Sequence, residues 1–180
     1  MSACDQASLE ALAAEVGCLL LANGERLATA ESCTGGWVGQ CLTAVAGSSR
    51  WFDCGFITYS NEAKLALLGV DGMTLAAQGA VSEAVAGAMA LGALQRSRAA
   101  WALAITGVAG PAGGSPGRPV GTVCFAWAGP EGRLDTDTRH FRGDREAVRA
   151  QSVAHALRGV LRRAGRSEER RVGKECRSRW

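Results

Sequence analysis

The chain is short of the residues from which metal and nucleotide sites are most often assembled. Among 180 residues there are two histidines, His140 and His155, one tyrosine, Tyr59, and four prolines. Neither histidine belongs to an H-E-x-x-H spacing, and no G-x-x-x-x-G-K-[ST] loop occurs, which sets aside a metalloprotease helix and an ATPase phosphate loop. No Ser-His-Asp triad can be assembled around either histidine, and both read as structural, His140 on a strand end and His155 on the last helix. The seven cysteines (Cys4, Cys18, Cys33, Cys41, Cys54, Cys124, Cys176) are odd in number and scattered, with no C-x-x-C. A disulfide framework or a zinc ribbon is therefore not expected, and free thiols within apolar runs fit a reduced, cytoplasmic protein. The N-terminus lacks a basic region followed by an apolar stretch. Nowhere do ~20 apolar residues follow one another without Gly or Pro, so neither export nor a membrane partner is expected.

Charge excludes little more. Of 20 basic and 17 acidic residues, six and three lie in Gly165–Trp180, leaving 14 of each in residues 1–164. The basic excess belongs to the tail, and the neutral body gives no reason to expect a nucleic-acid partner. The composition divides the chain into one domain, 1–164, and a basic tail, 165–180, read as disordered and possibly non-native.

What the chain has is a clear alternation of periods. Leu9, Leu12, Ala13, Val16, Leu19 and Leu20 recur at helical spacing over 6–22, stopped by Asn23-Gly24. Leu27–Ala30 reads as a strand, Trp37–Val45 as a helix, Cys54–Tyr59 as a strand and Asn61–Leu68 as a helix capped by Asn61. Ser82 caps an Ala/Gly-rich helix running to about Gln95. Trp101–Thr106 is a near-continuous apolar strand of the kind buried on both faces. Gly107–Gly117 is a Gly/Pro-rich loop, Val120–Trp127 and Leu134–Phe141 form a hairpin, and a last helix over 144–164 turns Ala150, Val153, Leu157, Val160 and Leu161 inward. This order predicts an α/β protein: a three-layer α/β/α sandwich around a mixed, mostly parallel sheet of about five strands.

Parallel strands joined by right-handed crossovers deliver their following residues to one edge of the sheet, where open α/β folds bind ligands. That edge should receive Ser32 after the first strand, Lys64 after the second and Thr106-Gly107 after the third. A serine hydroxyl becomes nucleophilic when a base takes its proton. Lysine can serve if its amine is neutral, as burial and a helix N-terminus both favour. Backbone amides of Thr34, Gly35 and Gly36 would be unpaired nearby, able to hold an oxyanion or a phosphate. The Gly107–Gly117 loop, with Gly110, could wrap a phosphate or ribose, and Arg145 could grip a phosphate in bidentate fashion. Taken singly, each residue has a plainer explanation: Ser32 as a helix N-cap, Lys64 as a solvated side chain, Arg145 as an ion-pair partner of Asp144 or Glu146. Cys33 is a rival nucleophile, its side chain expected to point away from Ser32.

Six segments in order, Ala30–Trp37 (AESCTGGW), Ala46–Ser49 (AGSS), Gly55–Lys64 (GFITYSNEAK), Gly79–Ser82 (GAVS), Thr106–Pro111 (TGVAGP) and Pro119–Val123 (PVGTV), resemble the nicotinamide-nucleotide amidohydrolase, or CinA C-terminal domain, family. The resemblance implies deamidation of nicotinamide mononucleotide to nicotinic acid mononucleotide and ammonia in pyridine-nucleotide salvage. On that likeness Ser32 is the nucleophile, Lys64 the general base and Tyr59 a neighbour orienting the lysine. No metal and no organic cofactor is implied. The two other readings are a Cys33-based thiol amidohydrolase and a non-catalytic pyridine-nucleotide-binding module of the competence/damage-inducible type. The Ala/Gly-rich helix makes a homodimer the expected assembly.

Overall fold

The computed structural model describes residues 4–177, with side chains through 165. The elements in chain order are α1 (Gln6–Asn23), β1 (Leu27–Glu31), α2 (Trp37–Ala44), β2 (Phe52–Ile57), α3 (Asn61–Leu68), α4 (Gly72–Gln78), α5 (Glu83–Gln95), β3 (Trp101–Gly107), β4 (Thr122–Gly129), β5 (Arg133–His140) and α6 (Arg145–Arg177), with 3-10 turns at Ser48–Arg50 and Pro130–Gly132. The sheet order is β2-β1-β3-β4-β5. β1 pairs in parallel with both β2 and β3, whereas β4 runs antiparallel to β3 and β5, so four of the five strands point the same way.

Side-chain size divides the two faces of this sheet. Leu27, Trp101, Leu103, Ile105, Val123, Phe125 and Trp127 project toward α1, α2 and α6. The intervening residues Ala28, Ala30, Ala102, Ala104, Cys124, Ala126 and Ala128 project toward α3, α4 and α5. The two-residue period of a strand converts the alternating sequences of β3 and β4 into one thick and one thin layer. On the thin side α5 itself offers Ala86, Ala90 and Ala93, so the helix lies close against the alanines. A Cβ at Gly92 would overlap the carbonyl oxygen of Leu68, so a bare glycine is what lets α3 dock on α5. On the thick side Trp127 is fully buried, its Nε1 donating to Ala156 O at 3.1 Å and the Arg163 guanidinium 3.9 Å from its ring. Burying a side chain of this size contributes about 1.5–3 kcal/mol.

Capping sets the helix that carries the lysine. Ser60, not Asn61, is the N-cap of α3: its backbone is extended (φ −92°, ψ 166°) and its hydroxyl accepts from Ala63 N at 3.0 Å. Two neighbouring residues are both good caps, and the one whose backbone is still extended takes the role. Gly69, at φ 66°, closes the other end. β2 starts earlier and stops earlier than its composition suggests, because Thr58 N makes the last contact with β1, to Glu31 O at 2.8 Å, and the chain then turns. The sequence reading missed α4. The last helix starts where expected, with Asp144 Oδ1 accepting from Ala147 N at 2.8 Å. It continues to Arg177, through the stretch set apart as a tail. No helix among the described residues is long and apolar enough to cross a membrane.

Candidate active site

The carboxyl ends of β1, β2 and β3 meet as the crossover rule requires. Ser32 is held between them, its N–H donating to Ile105 O of β3 at 3.0 Å. Lys64, one turn into α3, reaches back over the end of β2. Its Nζ lies 3.0 Å from Ser32 Oγ, 2.8 Å from Thr58 O and 3.4 Å from Ser60 O. Lys64 is 1% exposed and Ser32 8%, so the pair is enclosed in protein with little water to compete. Neither plainer explanation survives: Lys64 is not solvated, and α2 is capped by Gly36 with no side-chain bond from Ser32.

Burial pushes the Lys64 ammonium below the ordinary lysine range, against the opposing influence of the Cys33 thiol and the Glu62 carboxylate. A neutral amine has two N–H bonds and one lone pair. Thr58 O and Ser60 O can take the two protons, which leaves the lone pair for the Ser32 hydroxyl. Cys33 is buried with its thiol pushed up to about 12, chiefly by desolvation, so almost no thiolate exists near neutral pH.

The loop after Ser32 differs from expectation. Gly35 N donates to Ser32 O at 3.0 Å and Gly36 N to Glu31 Oε2 at 3.0 Å, so neither amide is unpaired. Thr34 is fully buried, and its Oγ1 has no partner among the described residues. The two glycine amides are therefore not available to an oxyanion. The loop amides with no acceptor on another residue, among the described residues, are those of Cys33 and Thr34, directly after the serine. Glu31 explains the difference. Its side chain, 1% exposed, accepts from Gly36 N, Val38 N (3.1 Å) and Gly39 N (2.9 Å), filling the N-terminus of α2. The sequence reading passed it over, although an acidic residue a few positions before a Gly-Gly helix start was a usable signal.

Tyr59 does not touch the lysine amine. Its side chain turns outward, 62% exposed, and its hydroxyl accepts from Arg145 Nη2 at 2.8 Å; the carbonyls on either side of it hold the lysine instead. Arg145 Nη1 donates to Gly110 O at 2.8 Å, so this guanidinium ties the Gly/Pro loop to Tyr59 rather than pairing with Asp144 or Glu146. Arg149, one turn further along α6 and also missed, donates to Thr34 O at 2.8 Å and lies 5.1 Å over the Trp37 ring. Trp37, Arg145, Glu146 and Arg149 line an open cleft of about 370 Å³ beside the Ser32 loop. Thr106 Oγ1 donates to Ala80 O at 2.8 Å, bracing the segment before α5, and Gly107 ends β3 where a Cβ would press on Thr122 O and Val123 at 2.7–2.8 Å. No group of three or more His, Cys, Asp or Glu side chains among the described residues is placed to hold a metal ion.

An α/β sandwich with a buried serine and lysine in contact at the carboxyl edge of its parallel strands defines the class. The chain belongs to the CinA C-terminal domain family, whose pattern matches residues 9–164. It is 55% identical over 146 residues to the nicotinamide-nucleotide amidohydrolase PncC of Escherichia coli K12, covering 81% of this chain and 88% of that protein. Among solved structures it is similar to competence damage-inducible protein A of Klebsiella pneumoniae (43% identity, TM-score 0.84, 87% of this chain and 97% of that one). It is also similar to a competence/damage-inducible protein of Agrobacterium tumefaciens (44% identity, TM-score 0.82, 85% and 93%).

Proposed function

We propose that the protein hydrolyses the carboxamide of nicotinamide mononucleotide, releasing ammonia and nicotinic acid mononucleotide, as a salvage step for pyridine nucleotides in the cytoplasm. The observation that carries the reading is the 3.0 Å contact between Lys64 Nζ and Ser32 Oγ, in a setting that favours the neutral amine. The similarity to PncC supports the choice of substrate.

Neutral Lys64 takes the Ser32 proton as Oγ bonds to the carboxamide carbon. The oxygen that gains charge is met by the Cys33 N–H, the position adjoining the nucleophile that recurs in oxyanion sites. Lys64 then gives its proton to the leaving nitrogen, the C–N bond breaks, and ammonia departs from a Ser32 acyl ester. A water, deprotonated by Lys64, attacks the ester, and the returned proton restores the serine. The positive charge of the substrate's pyridinium ring further disfavours an ammonium at position 64. Arg145, presented beside Gly110 and Tyr59, receives the phosphate at the mouth of the cleft.

The test is ammonia release from nicotinamide mononucleotide, its riboside and the intact dinucleotide by the wild-type protein. Turnover of the mononucleotide above the other two is the expected result. Saturable binding of all three without ammonia would replace the enzyme with a nucleotide-binding module.

A further inference from the structure

Glu31 and Ser32 are consecutive residues at the end of β1, so their side chains leave opposite faces of the sheet. Ser32 turns to the α3 side and meets Lys64. Glu31 turns to the other side and is buried under the first turn of α2. There its two oxygens accept three backbone N–H groups, from Gly36 and Val38 on one oxygen and Gly39 on the other, at 2.9–3.1 Å. A carboxylate so placed is matched to the positive end of the helix, and no cationic side chain is within salt-bridge distance of it among the described residues. The loop from 32 to 36 is thereby closed by a side chain at its own start. Gly35 and Gly36 take left-handed backbone angles (φ 61° and 95°), Gly35 N returns to Ser32 O, and Arg149 holds Thr34 O from the outer side.

We propose that Glu31 is a positioning residue for the nucleophile: its carboxylate, acting as an internal anion at the start of α2, fixes the turn that aims Ser32 Oγ at Lys64 and leaves the Cys33 N–H turned to the reacting oxygen. This deepens the amidohydrolase reading and rests on it only for the choice of substrate. The helix end that an incoming phosphate would otherwise seek is already filled, so the substrate's anionic group is directed to the α6 side of the cleft.

Glu31→Ala removes a CH2 and a carboxylate, the bulk of one acetate ion, and uncovers three N–H groups. Loosening the turn by about 1 Å should lower kcat about 100-fold. KM should stay within about threefold, because Arg145 is untouched. Added formate or acetate should restore kcat at least about tenfold in a saturable way, and chloride should not. The same samples are also read by the rate at which a fluorophosphonate modifies Ser32, a readout that needs no nicotinamide substrate. If wild-type protein releases no ammonia but Glu31→Ala slows phosphonylation and acetate restores it, the positioning role stands and the substrate assignment falls. Turnover or labelling of Glu31→Ala within about threefold of wild type overturns the proposal. So does a folded Glu31→Ala, checked by circular dichroism, whose loss no carboxylate rescues. Where Glu31→Ala fails to fold, Glu31→Gln decides. Its single carbonyl oxygen can keep two of the three bonds and presents an NH2 to the third, so a fall in kcat of about tenfold is expected, and an unchanged kcat overturns the proposal.

Discussion

If Lys64 is the base for Ser32, the two must fail as a unit. Removing a general base lowers a rate by about 10²–10⁴, and a loss of about 10³ corresponds to ~4.1 kcal/mol of transition-state stabilisation. Were the two side chains independent, the losses in Ser32→Ala and Lys64→Ala would multiply in the double variant. With Nζ 3.0 Å from Oγ and both groups buried, the lysine acts only through the serine and the ester it forms, and the double variant should be no slower than Ser32→Ala alone. Lys64→Arg sharpens the test. A guanidinium keeps the positive charge and cannot accept a proton, so it should be as inactive as Lys64→Ala if the lysine is a base, and largely active if only a charge is needed. The assay is ammonia release at saturating nicotinamide mononucleotide, with circular dichroism to establish folding. Multiplying losses, or Lys64→Arg at a tenth or more of wild-type rate, would refute the dyad.

The lowered Lys64 pKa sets the sign of the pH dependence: kcat/KM rises with pH as the lysine loses its proton, and the midpoint lies below the ordinary lysine value of 10.5. A pH–rate profile with its acid limb at that ordinary value would contradict the burial argument. Cys33→Ala should keep turnover within about threefold, since a thiol held up to about 12 supplies little thiolate, and abolished ammonia release would return the nucleophile to Cys33. Tyr59→Phe and Arg145→Ala should each raise KM, Arg145→Ala by about tenfold for the lost charge-assisted contact, and leave the acid limb of the profile where Lys64 sets it; a displaced limb in Tyr59→Phe would show that its hydroxyl acts on the lysine after all. Gly92→Ala should destabilise the fold by about 1–3 kcal/mol, read from urea unfolding, because its methyl would overlap Leu68 O.

Periodicity carried the fold. The strands β1, β3 and β4 announce themselves by apolar runs, α1 and α5 by spacing and caps, and once the strands are ordered the convergence of Ser32 and Lys64 follows from handedness alone. The misses have a common cause: they depend on where the backbone turns. Ser60 and Asn61 are chemically equivalent as caps until the strand's last hydrogen bond, at Thr58 N, decides which of them is extended. α4 is only seven residues long and spells GMTLAAQ, too short for a period to show. Tyr59 was assigned to the lysine on the family likeness, yet the carbonyls beside it do the holding while the ring faces Arg145, 86 residues away. Glu31 is the instructive case. At a strand end a glutamate looks like an ordinary solvent-facing charge; its place before a Gly-Gly helix start was a hint, and the folding of Gly36 to Gly39 over it shows the role. Arg149 had a signal, its position four residues after Arg145 on one helix, but nothing in the sequence tells that Thr34 O lies across from it.

The alanine-lined layer acts as a shim beneath the base. α3, which carries Lys64, rests on α5 through the gap left by Gly92, and α5 rests on Ala28, Ala30, Ala102 and Ala104, so the height of the lysine above the serine is set by methyl groups that touch neither. A protein engineer who fills that layer with valines to raise the melting temperature would be lifting the amine away from its hydroxyl, and would see a sturdier molecule that works more slowly.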